Sequence, residues 1–474
     1  MLIAAVTTAA LATGTRRQAT PTLLLAALAV AVCQTIVVAA LPVFGRELGV
    51  SATAATWLLT AFMLAAAVAT PIAGRLGDLY GHRRVLVAGL LALAAGSLLA
   101  ALSDHAGSFT GLLVGRAVQG LSAGVFPVTF GLARLTAPAE KLNGLVAALS
   151  AMFGMGGAVG MVVAGPIVAV SGTAWLFWLG LVLAGAALAG AAGLPAGRPA
   201  TSRQGRPDLL GATLLSGTLV ALLLGISQGR AWGWGSAATV STFAGCLLLG
   251  AAFVAVEMRT AVPIVDMRLL RRPALVGTNI ATVVISVGMF AAVTVIPRYS
   301  QTPTAAGYGF GDSPAETGLL IAPTAVLMVV AAPVAARLSR RTGGRATFQL
   351  GAALAVAGLG LLAFAHSQPW HFYLAGAVLG AAYGFAFASL GALVIGAVDH
   401  TQTGAASGVN TILRTIGGAL GAQLAAVVLA SSARPPSALP TESGYVAAFL
   451  ASAAVAALAF VAALTIRRPV HYSE

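Results

Sequence analysis

The stretch Gly74-Arg75-Leu76-Gly77-Asp78-Leu79-Tyr80-Gly81-His82-Arg83-Arg84 places four charged residues between two long apolar segments, 53–73 and 85–102. Both segments come close to the ~20 mostly apolar residues that a helix needs to cross a bilayer. The glycines permit a tight backbone turn, and the arginines favour the cytoplasmic side of a membrane. The stretch therefore predicts a short cytoplasmic connection between two membrane-spanning helices.

The composition of the 474 residues gives the same class independently. Hydrophobic residues make up 59% of the chain and charged residues only 8%, whereas a soluble domain has about a quarter of its residues charged. We therefore predict an all-α polytopic membrane protein with about fourteen spanning helices. They are expected near residues 22–44, 53–73, 84–102, 109–135, 143–170, 174–195, 209–227, 237–258, 274–296, 316–336, 346–365, 371–397, 404–432 and 444–466.

The formal charge of +14 is explained by topology and does not call for a nucleic-acid partner. With both termini placed in the cytoplasm, twenty of the 26 basic residues lie in cytoplasmic segments. Such a bias sets the orientation of membrane helices and here favours an even number of them. Arg116 and Arg414 are exceptions, since both fall inside predicted helices. The single lysine against 25 arginines is typical of a G+C-rich bacterial genome, so we expect a bacterial plasma membrane.

An internal repeat divides the chain into two related halves. Thr70–Asp78 aligns without gaps with Ala332–Arg340, and Gly81 then falls opposite Gly343. Repeats of this kind are common in transporters, where they form pseudo-symmetric bundles. We predict two six-helix bundles joined by a linker and two central helices, with boundaries at 1–200, 201–268 and 269–474.

The opening stretch resembles the signature G-x-L-x-D-x-x-G-x-R-R of the major facilitator superfamily, which lies between its second and third helices. The matching residues are Gly74, Asp78, Gly81, Arg83 and Arg84. The resemblance implies a gating loop, in which Asp78 caps the start of the helix near Gly404–Gly408 and the two arginines anchor the loop. The two central helices resemble the fourteen-helix drug/proton antiporter branch of the superfamily.

Further runs are similar to motifs of that branch. They are Thr35–Pro42 in the first helix, Trp57–Phe62 in the second, Arg116–Gly120 in the fourth, Trp232–Trp234 in the central pair and Gly404–Gly421 in the penultimate helix. An aromatic belt at the membrane interface is the alternative explanation of the tryptophans. The resemblance places a set of residues at the central cavity or in coupling, namely Cys33, Gln34, Thr35, Arg116, Gln119, Asn410 and Arg414.

The fifth helix departs from the antiporter motif G-x-x-x-G-P-x-x-G-G. Gly165 and Pro166 are present, but the other three glycines are not. Nearby glycines at shifted positions are candidates for the same close packing, namely Gly156, Gly157 and Gly160. Close helix packing alone is the alternative role of Gly417, Gly418 and Gly421 in the penultimate helix.

The resemblance implies a secondary active exporter of hydrophobic drugs, antibiotics or metabolites, which works by alternating access as a monomer and exchanges its substrate for protons. An importer or facilitator of a neutral or anionic solute with the same fold is the alternative. Neither catalysis nor a cofactor is expected, since the histidines and acids form no intramembrane cluster of metal or acid–base type. Cys33 and Cys246 lie within apolar segments and suggest neither a disulfide nor a metal site.

An acid is missing from the first helix. In the signature D-x-T-I-V-N the acid position is occupied by Cys33 and the asparagine position by Val38. The remaining acids lie in loops, tails or near helix ends, which leaves protonation at a boundary acid such as Glu316 or a differently driven cycle as alternatives. We therefore expect the central cavity to lack negative charge.

That absence leaves Arg116 and Arg414 without an obvious counter-charge. A buried arginine near the bilayer centre costs about 2.5–3.5 kcal/mol and needs partners. Gln34 and Thr35 are candidates to hydrogen-bond Arg116, and main-chain carbonyls are the alternative. We predict a net positive cavity that favours neutral or anionic substrates over quaternary-ammonium cations.

Overall fold

The computed structural model describes residues 2–50, 52–55, 57–195, 208–260, 263, 265, 267, 273–398, 403–432 and 439–466. Regular structure within these ranges is helical throughout. The long helices are α1 (Leu2–Thr35), α2 (Trp57–Tyr80), α3 (His82–His105), α4 (Phe109–Thr136), α5 (Ala139–Ser171), α6 (Ala174–Ala191), α7 (Leu209–Trp232), α8 (Ala237–Glu257), α9 (Pro273–Ser300), α10 (Pro314–Thr342), α11 (Gly344–Phe364), α12 (Pro369–Gly396), α13 (Thr403–Ser431) and α14 (Glu442–Ala462).

Shorter elements complete the described chain. Two short helices, Leu41–Glu47 and Ala52–Ala55, connect α1 to α2. A 3-10 turn, Leu121–Gly124, interrupts α4, and two more follow α9 and α14 at Thr304–Ala306 and Ala463–Thr465.

Thirteen of these helices, in their described parts, are long and apolar enough to cross a membrane. The apolar part Ala19–Thr35 of α1 is a shorter candidate. The all-α membrane class is thus confirmed, whereas the count of fourteen and the cytoplasmic placement of the termini stay predictions. We call the end of the bundle that carries the α2–α3 and α4–α5 connections the inner end, since the arginine distribution predicts that it is cytoplasmic.

The two copies of the repeat turn in the same way. Gly81, between α2 and α3, has a φ of 97°, and Gly343, between α10 and α11, has a φ of 88°. Residues with a Cβ rarely adopt this backbone conformation, so glycine is required at both turns. The helix pairs that follow the aligned segments are therefore built alike, as the repeat predicts.

The two halves meet through two helix pairs, and the internal repeat relates one pair to the other. α2 packs on α13, and α5 packs on α10. Since α2 aligns with α10, α5 corresponds by position to α13, and each contact is the counterpart of the other. Further contacts join α5 to α12 and α13 to α4. This arrangement agrees with two six-helix bundles, although the domain boundaries stay a prediction.

The two central helices lie beside this interface. α7 packs on α8, on α2 and on α13. Leu219 and Leu223 of α7 are buried in a cluster with Ala67 of α2 and Ile412 of α13. α8 lies at the periphery, where Leu247 is 74% exposed, as expected for a helix surrounded by lipid.

Glycines let α13 approach α9 closely. A Cβ added at Gly417 would lie 2.6 Å from the carbonyl oxygen of Val283, and one at Gly421 would overlap that of Val287. Gly418 faces the ring of Phe290 in the same contact. Small residues at such contacts allow main chains to pack tightly in membranes. The packing role of these glycines is therefore supported directly by the contact geometry.

Leucine in place of Gly421 is expected to lower the thermal midpoint (Tm) of the purified protein by several degrees, because overpacking costs about 1–3 kcal/mol. Gly245→Leu in α8 is the matched control, since a Cβ there meets no atom within 4 Å. Fluorescence-detected size exclusion after heating measures both midpoints. Equal midpoints for the two variants would contradict the tight contact.

Candidate functional site

Arg116 of α4 is completely buried and binds the main chain of two other helices. Its Nε donates to the carbonyl oxygen of Leu58 in α2 at 2.8 Å, and its Nη1 donates to that of Cys33 in α1 at 2.7 Å. Nη2 donates to the carbonyl oxygen of Gln34 at 3.2 Å. The guanidinium carbon lies 4.6 Å from the centre of the Phe62 ring, which adds a cation–π contact.

The first helix supplies the carbonyls of Cys33 and Gln34 because it ends at Thr35. α1 stops at Thr35, and the Val38 N–H donates to the carbonyl oxygen of Thr35 at 2.9 Å, one residue closer than in an α-helix. The last carbonyls of a helix lack an intrahelical donor and carry the negative end of the helix dipole. Arg116 thus takes two of its main-chain partners from a helix terminus, and main-chain carbonyls are the alternative partners predicted from the sequence.

The side chains of Gln34 and Thr35 are not the observed partners of Arg116. Gln34 contributes its main-chain oxygen. The Thr35 hydroxyl donates instead to the carbonyl oxygen of Gly157 in α5, at 2.9 Å. The end of α1 thus offers main-chain oxygens to the guanidinium, and the Thr35 side chain joins α1 to α5.

Gln119 extends the polar cluster to α3. Its Oε1 accepts from Nη1 of Arg116 at 2.8 Å, and its Nε2 donates to the hydroxyl of Ser97 at 2.7 Å. The Cys33 thiol lies beside Ser97 and Gly180, since a Cβ added at Gly180 would approach both side chains within 3 Å. Cys33 therefore faces α3 and α6, inside its own half. The described partners of Arg116 are all neutral.

Arg414 of α13 occupies a second buried site. Its Nη1 donates to the carbonyl oxygen of Ser150 in α5 at 3.4 Å, and its guanidinium carbon lies 4.5 Å from the ring centre of Phe387 in α12. This arginine therefore contacts the other half through α5. Asn410, one turn earlier, donates to the hydroxyl of Thr282 in α9 at 2.8 Å. The structure thus places Arg414 and Arg116 in separate clusters, with no shared partner among the described contacts.

The glycines of α5 pack against the end of α1. A Cβ added at Gly156 would overlap the side chain of Ala31, and one at Gly160 would lie 2.8 Å from the carbonyl oxygen of Val32. These are two of the shifted glycines that we named as candidates. Gly165 is buried farther along α5, and Pro166 is exposed within the helix. The close packing of α5 therefore lies where α1 ends.

The loop between α2 and α3 is held by its own side chains. His82 Nε2 lies 3.3 Å from Oδ1 of Asp78, and the imidazole fits against Gly131 of α4, where no Cβ could be accommodated. Arg83 donates to the carbonyl oxygens of Ala191 at 3.2 Å and Ala192 at 2.7 Å. Arg83 thus binds the C-terminal end of α6, the end that favours a cation.

The helix start that Asp78 is predicted to cap lies largely outside the described residues. Residues 399–402 and the side chains of 403–405 are not described. Farther along, Gly408 lies near the carbonyl oxygen of Thr70 and near Pro127. α13 therefore contacts α2 at Thr70, and the cap by Asp78 stays a prediction. Gly74 is buried in the same stretch of α2, and Arg84 is exposed.

A contact that the sequence did not reveal joins the halves at the inner end. Nη2 of Arg134, in the last turn of α4, donates to the carbonyl oxygen of Ile395 near the end of α12, at 2.8 Å. Helix C-termini expose carbonyls and attract cations. The sequence places Arg134 among many predicted cytoplasmic arginines, and nothing in its neighbourhood indicates a contact with the other half.

Comparison with known proteins identifies the family. A model described as the Major Facilitator Superfamily matches residues 23–422, and a second match covers 278–474. An uncharacterized MFS-type transporter of Mycobacterium tuberculosis is 30% identical over 398 residues, which is 82% of this chain and 56% of the relative. The tetracenomycin C resistance and export protein of Streptomyces glaucescens is 30% identical over 73% of this chain and 64% of its own.

Other relatives align over more of their length. The cephamycin export protein of Amycolatopsis lactamdurans is 31% identical over 92% of this chain and 88% of its own. Among solved structures, the human organic anion transporter MFSD10 superposes with a TM-score of 0.64 at 18% identity, over 94% of this chain and 99% of its own. That similarity shows the fold. The chain spans only 56% of the length of the M. tuberculosis transporter and 64% of that of the tetracenomycin exporter.

Alanine in place of Arg116 removes the guanidinium donor from the carbonyl oxygens of Leu58, Cys33 and Gln34, and a buried acceptor left unsatisfied costs about 1–3 kcal/mol. We expect a lower Tm and loss of transport. Arg46→Ala is the control, since Arg46 is exposed at the outer end. Tm and transport are measured at equal expression, and undiminished transport by the Arg116 variant would contradict the assigned role.

Proposed function

The chain belongs to the major facilitator superfamily, and on that premise we propose that it is a secondary active exporter of hydrophobic drugs, antibiotics or metabolites that works by alternating access. It is a multi-pass membrane protein, and family members are generally not enzymes. We propose the plasma membrane of a bacterium as its location, a monomer as its working form and protons as the exchanged ion.

The contact between the halves is the observation that carries this proposal. Two helix pairs related by the repeat, α2–α13 and α5–α10, form the interface. Rocking of one half against the other about such pairs exposes a central site to each side in turn. At the inner end a hydrogen bond from Arg134 to Ile395 joins the halves, and rocking would break this contact.

Named relatives support the substrate class. Besides the two exporters above, a puromycin resistance protein of Streptomyces alboniger is 31% identical over 85% of this chain. We propose a substrate of similar kind, small and largely apolar. Since Cys33 stands where the first-helix signature has an acid, we propose that the substrate is neutral or anionic rather than cationic.

Vesicle transport tests the direction. Tetracenomycin C, which gives one of the relatives its name, should accumulate in inverted vesicles that contain the protein when a proton gradient, acidic inside, is imposed. Vesicles with the Arg116→Ala variant are the control for passive entry. Accumulation restricted to right-side-out vesicles would make the protein an importer and overturn the proposal.

Asn in place of Asp78 removes a negative charge from the gating loop, where such a charge near a helix start contributes about 1 kcal/mol. We expect an approximately fivefold shift in the conformational equilibrium and less change in substrate affinity. Asp208→Asn is the matched control, because Asp208 caps α7 by accepting from the Gly211 N–H. Spin-label distances across the inner end and substrate binding separate the two effects; intact transport and unchanged distances would refute the gating role.

Aspartate in place of Cys33 restores the missing acid beside the Arg116 cluster, so we expect it to raise the export of ethidium, a cation. Cys33→Asn is the matched control, because asparagine has nearly the shape of aspartate but carries no charge. The readout is ethidium efflux at equal expression. Strong ethidium efflux by the unmodified protein, or equal efflux by the two variants, would contradict the predicted charge preference.

A further inference from the structure

A cavity of about 480 Å³ lies at the inner end of the N-terminal half, between α1, α4 and α5. This volume falls in the range of pockets that hold drug-sized ligands. It is separate from the buried arginine clusters and from the gating loop. The lining residues of α1 are Thr20 and Leu24, those of the α4–α5 connection are Thr136, Ala137 and Pro138, and those of α5 are Lys141, Gly144, Leu145 and Ala148.

The cavity has a charged edge and an apolar wall. Lys141 is the only lysine of the chain, and it lies at the exposed edge together with Thr20. Glu140 is exposed and is not part of the lining. The edge is therefore complementary to an anionic group.

The remaining lining residues are apolar, or have a hydroxyl that already donates a hydrogen bond within the protein. Leu24, Leu145 and Ala148 form an apolar wall, and the Thr136 hydroxyl donates to the carbonyl oxygen of Leu132 at 2.8 Å. At Gly144 an added Cβ would meet no atom within 4 Å, so there is free space beside the helix. The lining therefore suits a molecule with an apolar body and one anionic group.

The cavity lies next to the inner contact of the two halves. Thr136 follows Arg134 by two residues, and Arg134 binds Ile395 of the other half. On another side of α5, Val146 and Ser150 contact Gly391 of α12. A ligand in the cavity thus touches the helices that close the inner end.

We propose that this cavity is a loading site for amphipathic organic anions that arrive from the cytoplasmic side, with Lys141 as the residue that binds the anionic group. The inference rests on the proposed export function, since it assigns the step in which the exporter first binds its substrate. It is distinct from the central site, because it lies wholly within one half and at its inner end.

Two probes that share one aromatic scaffold test the site. Anilinonaphthalene sulfonate carries an anionic group, and phenylnaphthylamine is neutral. Their fluorescence is titrated with the full chain in phosphatidylcholine nanodiscs, with empty nanodiscs as the blank. Lys141→Gln removes the charge, Lys141→Arg keeps it, and Gly144→Leu fills the free space. Binding is measured without transport, so failure of the export function leaves this readout intact.

Lys141→Gln is expected to weaken the anionic probe about fivefold, the size of an exposed charge contact, and to leave the neutral probe within about twofold. Lys141→Arg should retain both affinities, and Gly144→Leu should weaken both probes. An equal effect of Lys141→Gln on the two probes, or no effect of Gly144→Leu, would overturn the proposal. So would displacement of the anionic probe by phosphatidylglycerol in the nanodisc, which would make the cavity a lipid site.

Discussion

The Arg116 guanidinium is the constraint on which the N-terminal half depends. A charged group inside the bilayer needs hydrogen-bond partners from the protein, because lipid supplies none. Here the partners are the last carbonyls of α1, a carbonyl of α2 and the side chain of Gln119. The arginine therefore ties α1, α2 and α4 together at the point where α1 stops being helical. α5 can pack on the same point because Gly156 and Gly160 present no side chain to it.

Two arginines donate hydrogen bonds from one half to the other, and a transporter must break such contacts when its halves separate. Arg414 reaches a carbonyl of α5 over a long 3.4 Å, and Arg134 reaches a carbonyl of α12 at the inner end. Both bonds join a cation to a main-chain oxygen, so neither leaves an unpaired acid behind when it breaks. Arg116 differs, since its described partners all lie within its own half and move with it.

Much of the fold could be predicted because its signals are local. Gly81 and its counterpart Gly343 predicted the tight turns between two helix pairs, and both adopt the positive φ that such turns require. The shifted glycines of α5 predicted close packing, and the structure shows that α1 is the helix packed against Gly156 and Gly160. The partners of Arg116 could not be predicted in the same way, because main-chain carbonyls carry no side-chain signature and become available only where α1 ends. The contact of Arg134 with Ile395 could not be predicted either, because the sequence around Arg134 does not differ from that around other cytoplasmic arginines.

The position of the Arg116 side chain tests this account most directly. A cryo-EM map of the full chain in nanodiscs, at a resolution that shows main-chain carbonyls, would locate the guanidinium. We predict density that joins it to the carbonyl oxygens of Cys33 and Leu58, with the side chain buried among α1, α2 and α4. A guanidinium turned into the space between the two halves, or paired with a carboxylate, would contradict the account.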